Sequence, residues 1–207
     1  AGLRPSFGRI PAYNPTMGAE RPISAQLMSA QGPLARRVRD LRLALRVMAE
    51  GDARDPWWMP APLEGPPVPR PIRVALCTDP MGGGVHPAVS EAVLQAGRIL
   101  AAAGYAVEAA DPPDFAGAVA DWEALTRTEG RIFLDEAFAK LGDSGAQQTF
   151  AAMMAHAPQL DHAAWAAAAA RRTTRQRAWA EFTQRYPLLL LPVSADPPFP
   201  QGLDVAG

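Results

Sequence analysis

The sequence is poor in the residues that build covalent or metal staples. Cys77 is the only cysteine among 207 residues, which excludes an intramolecular disulfide and a cysteine-built zinc site and fits a reducing compartment. Lysine is equally scarce: Lys140 stands alone, so almost every positive charge is arginine. An excess of charge of either sign is missing too. The formal net charge is -1 and the isoelectric point about 6.4, so no overall positive field draws the chain to nucleic acid or to an anionic membrane. Long apolar runs are absent: the longest, Ala163 to Ala170 and Leu188 to Leu191, are far too short to span a bilayer. The opening AGLRPSFGRI lacks the basic-then-apolar order of a signal peptide, and a cytoplasmic location is expected. No internal repeat is evident.

What is present is an ordinary globular balance, 48% hydrophobic and 20% charged, with 22 prolines. The first thirty residues have little period and read as irregular structure. From Pro33, the apolar residues Leu34, Val38, Leu41, Leu45 and Met48 recur at helical spacing until Gly51, which predicts a helix with one buried face. Its other face carries Arg36, Arg37, Arg39, Arg42 and Arg46, read as a solvated stripe, with Arg36 and Asp40 one turn apart. Asp52 to Pro71 is a proline-rich connector, which Trp57 and Trp58 are expected to pin to the body. A βαβ unit follows: a strand over Ile72 to Cys77, a helix over Pro87 to Ala103 and a strand over Tyr105 to Ala109. Val119 to Leu141 is expected to form one helix, burying Trp122, Leu125, Ile132, Phe133 and Phe138. Ala163 to Arg185, with Trp165, Trp179 and Phe182, is expected to form another. YPLLLLP, residues 186 to 192, suits a strand covered on both faces. After Pro192 the chain reads as loop to Gly207.

Local chemistry is thin. Met81-Gly82-Gly83-Gly84 lies between a strand and a helix, where glycines can bring backbone N–H groups close to a pyrophosphate, and Glu108 falls near the end of the second strand. The glycines, however, come several residues after the strand, and His86 and Pro87 stand where a third glycine belongs, so the loop reads as a flexible surface connection. His86, His156 and His162 lack the i, i+4 spacing of a metal site, and the last two flank a Pro-containing turn, where solvent-facing positions are expected. None of Ser6, Ser24, Ser29, Ser90, Ser144 and Ser194 sits in a G-x-S-x-G elbow. Lys140 falls at a helix end, which the helix dipole alone favours. The residues by themselves name no nucleophile, no metal ligand and no cofactor-binding group.

Three segments nonetheless occur in a telling order. GLRPSFGRIP (2–11), GPLARRVRDLRLALRVMAEGDARDP (32–56) and YPLLLLPVSADP (186–197) resemble successive motifs of the amidase signature family. The first is similar to the segment that follows that family's catalytic serine, the second to its Gly-Pro-hydrophobic-Ala-Arg helix with a closing Gly-Asp-x-x-Asp-Pro turn, the third to its late strand. Pro187 replaces an acidic residue usual there, and Ser194 stands where Thr-x-Pro is common. The resemblance implies an α/β fold, part of a large mixed β-sheet with helices on both faces, incomplete in this chain. Residues 1–207 would then be a partial amidase domain: 1–56 following the catalytic core, 57–71 the connector, 72–207 the α/β part.

The resemblance also implies a hydrolase of linear amide C–N bonds. A serine attacks the carbonyl, a second serine in a cis peptide relays its proton, a lysine serves as base, and backbone N–H groups hold the oxyanion. All of these are expected before Ala1, leaving no catalytic residue in this chain and no cofactor or metal. The expected partner is a small-molecule amide, and an oligomer is compatible. Trp57, Trp58 and Trp122 could line an acyl pocket, although core packing is their expected use. A non-catalytic remnant or binding subunit is the alternative reading, with a nucleotide-binding module behind it.

Overall fold

A computed structural model describes residues 1–16, 18–155 and 159–203. Two compact units divide between Pro67 and Val68. In the first, α1 (Ile23–Met28) and α2 (Val38–Met48) are set in irregular chain. The expected helix from Pro33 begins instead at Val38, with Arg37 as its N-cap. Backbone pairing is the reason. Leu3 N–H donates to Pro33 C=O at 3.0 Å, Ala35 N–H donates to Ala1 C=O at 3.0 Å, and Gly2 and Leu34 form an antiparallel bridge. A Cβ on Gly32 would lie 1.8 Å from the carbonyl oxygen of Leu3, so only glycine allows this approach.

The extended segment holds Leu34 87% exposed, and Val38 is exposed as well, leaving Leu41 as the buried residue of α2. The arginine stripe is solvated in part and paired in part. Arg42 binds Glu64, Arg46 approaches it at 3.8 Å, and Asp40 meets its neighbour Arg39 at 3.5 Å rather than Arg36. The tryptophan pair behaves as expected of a pin. Both rings are half-buried, Trp57 Nε1 donates to Gln26 and Trp58 Nε1 to Ala49 C=O, each at 3.3 Å.

The second unit is α/β. β1 (Arg73–Leu76), α3 (Pro87–Ala102) and β2 (Ala106–Ala109) realise the βαβ unit. α4 (Phe115–Phe133), α5 (Asp135–Leu141), α6 (Ser144–Ala155) and α7 (His162–Arg185) then lead to β3 (Leu188–Leu190). The sheet order is β2-β1-β3, all parallel, with Val74 opposite Val107 on one side and Leu188 on the other. Central β1 is the core: Val74 and Ala75 are fully buried. Pro87 at the first helical position starts α3, and Gly104, with φ +88°, turns the chain from α3 into β2. Gly97 lets α3 close on β1, since a Cβ there would meet Leu76 at 2.4 Å.

Three expectations differ from this picture. The single helix over 119–141 is two, α4 and α5, separated at Leu134. Of its buried candidates Leu125 is buried and Phe138 half-buried, stacked on Phe150 at 4.2 Å, while Trp122, Phe133 and Ile132 are exposed, the last by 72%. β3 is an edge strand with Leu188 43% exposed, not one covered on both faces. α4 and α7 meet through charge and through aromatic rings: buried Asp121 accepts from Arg171 and Arg175, each at 2.8 Å, Arg175 also reaches Asp114, the N-cap of α4, and the Phe115 and Trp179 ring centroids lie 6.2 Å apart. No described helix is long and apolar enough to cross a membrane.

A candidate binding cavity in the first unit

The Gly51 to Pro56 turn shows why its residues take these types. Gly51 faces the Trp58 ring, to which a Cβ would come within 2.6 Å. Asp52 accepts from the backbone N–H of Arg54 at 3.0 Å and pairs with its guanidinium at 2.9 and 2.7 Å, while the Asp52 carbonyl accepts from Asp55 N–H at 3.0 Å. This hydrogen-bonded arginine holds the Asp52 carboxyl down at about 2. The turn thereby delivers Asp55 inward. Buried to 8% exposure, its carboxylate accepts from Trp57 N–H at 2.8 Å on one oxygen, and from Ala12 and Tyr13 N–H at 2.5 and 3.0 Å on the other. One side chain ties two distant loops together.

Above that tie lies a cavity of about 450 Å³. Tyr13 and Trp57 give it aromatic walls, and Glu20, Arg21, Arg54 and Asp55 its charges. Most of these groups are already committed. The Arg54 guanidinium, held by Asp52, lies 4.8 Å from the Tyr13 ring centroid, and Arg21 donates to the Ser29 hydroxyl at 2.8 Å. Gln26 donates to Arg21 C=O at 2.7 Å and accepts from the Trp57 indole. Among the described residues, no serine, cysteine, lysine or histidine lines the cavity, and Asp55 already accepts from three backbone N–H groups. The arrangement can bind and orient a small molecule.

The model of the family described as Amidase matches residues 1–205. The chain belongs to the Amidase family.

Two relatives, each named Indoleacetamide hydrolase, from Bradyrhizobium diazoefficiens and Bradyrhizobium japonicum, are 43% identical over 197 residues. The match covers 95% of this chain but 38% and 42% of theirs, so this amidase chain spans about two fifths of the curated relatives it matches. Among solved structures, a fatty acid amide hydrolase superposes with a TM-score of 0.70 at 19% identity, over 94% of this chain and 36% of that one. A 6-aminohexanoate cyclic dimer hydrolase gives 0.64 at 21%, over 89% and 40%. These two likenesses establish the fold, and the α/β expectation holds.

The residues weighed from sequence for chemistry are dispersed in the amidase chain. Gly82 and Gly84 adopt φ +68° and +90° with open space about them. Their loop is pinned rather than loose, because Gly84 N–H donates to Asp79 at 2.8 Å. A carboxylate seated there repels phosphate, which tells against the nucleotide reading. Glu108 is engaged elsewhere, by Arg73 at 3.0 and 2.8 Å and by the Tyr186 hydroxyl at 3.2 Å, and Arg73 depresses its pKa.

His86 is the N-cap of α3, its Nδ1 accepting from Ala88 N–H, and His162 opens α7. His156, with Pro158 of the expected turn, lies outside the described residues, as does the tail after Leu203. Among the described residues no three His, Cys, Asp or Glu side chains form a group able to hold a metal. Ser24 is buried in α1, Ser29 serves Arg21, Ser90 and Ser144 lie on α3 and α6, and Ser6 and Ser194 are exposed in loops. Lys140 pairs with Glu136 one turn back in α5. Cys77 is 3% exposed, and burial, with Asp111 at 3.3 Å, pushes its thiol pKa up.

Sequence reasoning missed the cavity, whose Tyr13, Glu20 and Arg21 belong to no motif. The single available signal was the second aspartate of the Gly-Asp-x-x-Asp-Pro turn.

Proposed function

We propose that this chain is part of a hydrolase that cleaves the C–N bond of a linear, small-molecule carboxamide through a serine acyl-enzyme. The observation that carries the reading is the 43% identity to two indoleacetamide hydrolases over nearly the whole chain. The built Gly-Asp-x-x-Asp-Pro turn adds support. An arylacetamide is the substrate class we favour. The attacking serine, the relaying serine and the lysine base belong to residues before Ala1 in this reading, and residues 1–56, 57–71 and 72–207 are successive parts of one amidase domain. The protein acts in the cytoplasm, needs no cofactor and contacts neither nucleic acid nor membrane.

The test compares ammonia release from indole-3-acetamide by the product of the complete reading frame and by these 207 residues alone. The complete product is expected to turn over. The 207-residue chain is expected to fall about a millionfold below it, the scale of removing a catalytic triad. Comparable turnover by the 207 residues would place the nucleophile inside them and overturn the assignment. No turnover by the complete product would leave a binding subunit with the amidase fold.

A further inference from the structure

Leu34 is 87% exposed although the backbone on either side of it is held. Pro33 C=O accepts from Leu3 N–H at 3.0 Å, Ala35 and Ala1 exchange both backbone bonds at 3.0 and 2.8 Å, and Gly2 and Leu34 face each other in the antiparallel bridge between them. Gly32, where no Cβ fits against the Leu3 carbonyl, sets how closely the two stretches meet. The leucine side chain lies across Gly2, since a Cβ built there would come within 2.8 Å of Leu34 Cδ2. A glycine has nothing with which to cover it.

A lone exposed leucine carries no meaning by itself; the register supplies it. Gly2 and Leu34 sit between two hydrogen-bonded pairs, the position at which cross-strand side chains come closest. Side chains alternate along a strand, so a residue immediately before Ala1 shares the face of Gly2 and falls on the diagonal to Leu34, within reach of a long side chain. The curated relatives extend over more than half of their length outside the match, so chain is available for that place.

We propose that Leu34 anchors the residues immediately preceding Ala1 in the complete protein, and through them serves as a positioning residue for the attacking serine. The anchoring follows from the register; the link to the serine rests on the amide-hydrolase reading, which puts that residue before Ala1. A side chain clamped over the chain that leads to the nucleophile limits its drift from the carbonyl it attacks, and attack geometry is sensitive to displacements of about 1 Å. Leu34 touches no substrate atom in this role.

The test uses Leu34→Ser in the 207-residue chain and in the complete protein. In the 207 residues, this substitution at an exposed position is expected to leave the urea midpoint within about 0.2 M of the parent. In the complete protein it is expected to lower the midpoint by about 0.5 M, and kcat on indole-3-acetamide about tenfold at nearly unchanged KM. Leu34→Met is expected to keep both near the parent values. The complete reading frame is expected to carry an apolar residue immediately before Ala1. Equal midpoint changes in the two chains, or a charged residue before Ala1, would overturn the anchoring. A midpoint that falls in the complete protein alone, with kcat unchanged, would overturn the positioning role. If the complete protein hydrolyses no amide, the amidase reading fails and takes the link to the serine with it, whereas the two midpoints still decide the anchoring.

Discussion

Replacing Asp55 by alanine removes the acceptor for three backbone N–H groups at once, those of Ala12, Tyr13 and Trp57. Hydrogen bonds to a charged partner are worth roughly 1.5–3 kcal/mol each. The three do not add, because the loops can separate and admit water after the first is lost. We expect Asp55→Ala to cost about 3–5 kcal/mol locally, less than the sum of three such bonds. Asp55→Asn, which keeps one oxygen but turns two donors toward donors, should cost about 1–3 kcal/mol.

Amide hydrogen exchange resolved to single residues is the suitable assay, because the tie joins only two loops of the first unit. At about 1.4 kcal/mol per factor of ten, protection of the Ala12, Tyr13 and Trp57 amides should fall roughly a hundredfold to a few thousandfold in Asp55→Ala, while amides of β1 stay as they were. Protection factors for those three amides within about threefold of the parent would refute the claim that Asp55 holds the loops together.

Gly32→Ala should destabilise the first unit by about 3 kcal/mol or more in urea unfolding, its Cβ meeting the Leu3 carbonyl at 1.8 Å. Gly65→Ala, with open space around it, should stay within about 0.5 kcal/mol. Asp52, whose carboxyl Arg54 holds at about 2, contributes to the pH dependence beside the depressed Glu64 and Glu108. A depressed carboxylate contributes stability above its unfolded value, ordinarily 3.8, and loses it as pH falls toward the folded one. Urea midpoints at about pH 5 and about pH 2.5 should therefore drop less in Asp52→Asn than in the parent.

Local punctuation decided how far the fold was legible. β1, α3 and β2 are marked off by Pro87 and Gly104, each at a position where its backbone preference is used, and the βαβ unit follows from the chain alone. The start of α2 does not, since helical spacing from Leu34 is overridden by pairing of Pro33 and Ala35 with Leu3 and Ala1, partners some thirty residues away. In α4 the apolar spacing continues through Leu134, and the sequence bears no proline or glycine at the break. Four consecutive leucines at 188–191 describe a strand but not how many neighbours cover it. The cavity was least legible, for its walls come from residues 12–14, 18–21, 26 and 54–57, and the Asp55 carboxylate that joins two of these stretches shows in sequence only as half of a turn motif.

The sheet order carries a consequence for how the second unit assembles. β1 and β2 are joined by a single helix, so they can zip together as soon as that short stretch of chain exists. The other flank of β1 waits for Leu188–Leu190, reached only after four more helices. Closing so long a loop carries an entropic cost that only the finished pairing offsets. Until then Val74 and Ala75, fully buried in the finished fold, stand at an open strand edge that can pair with another chain.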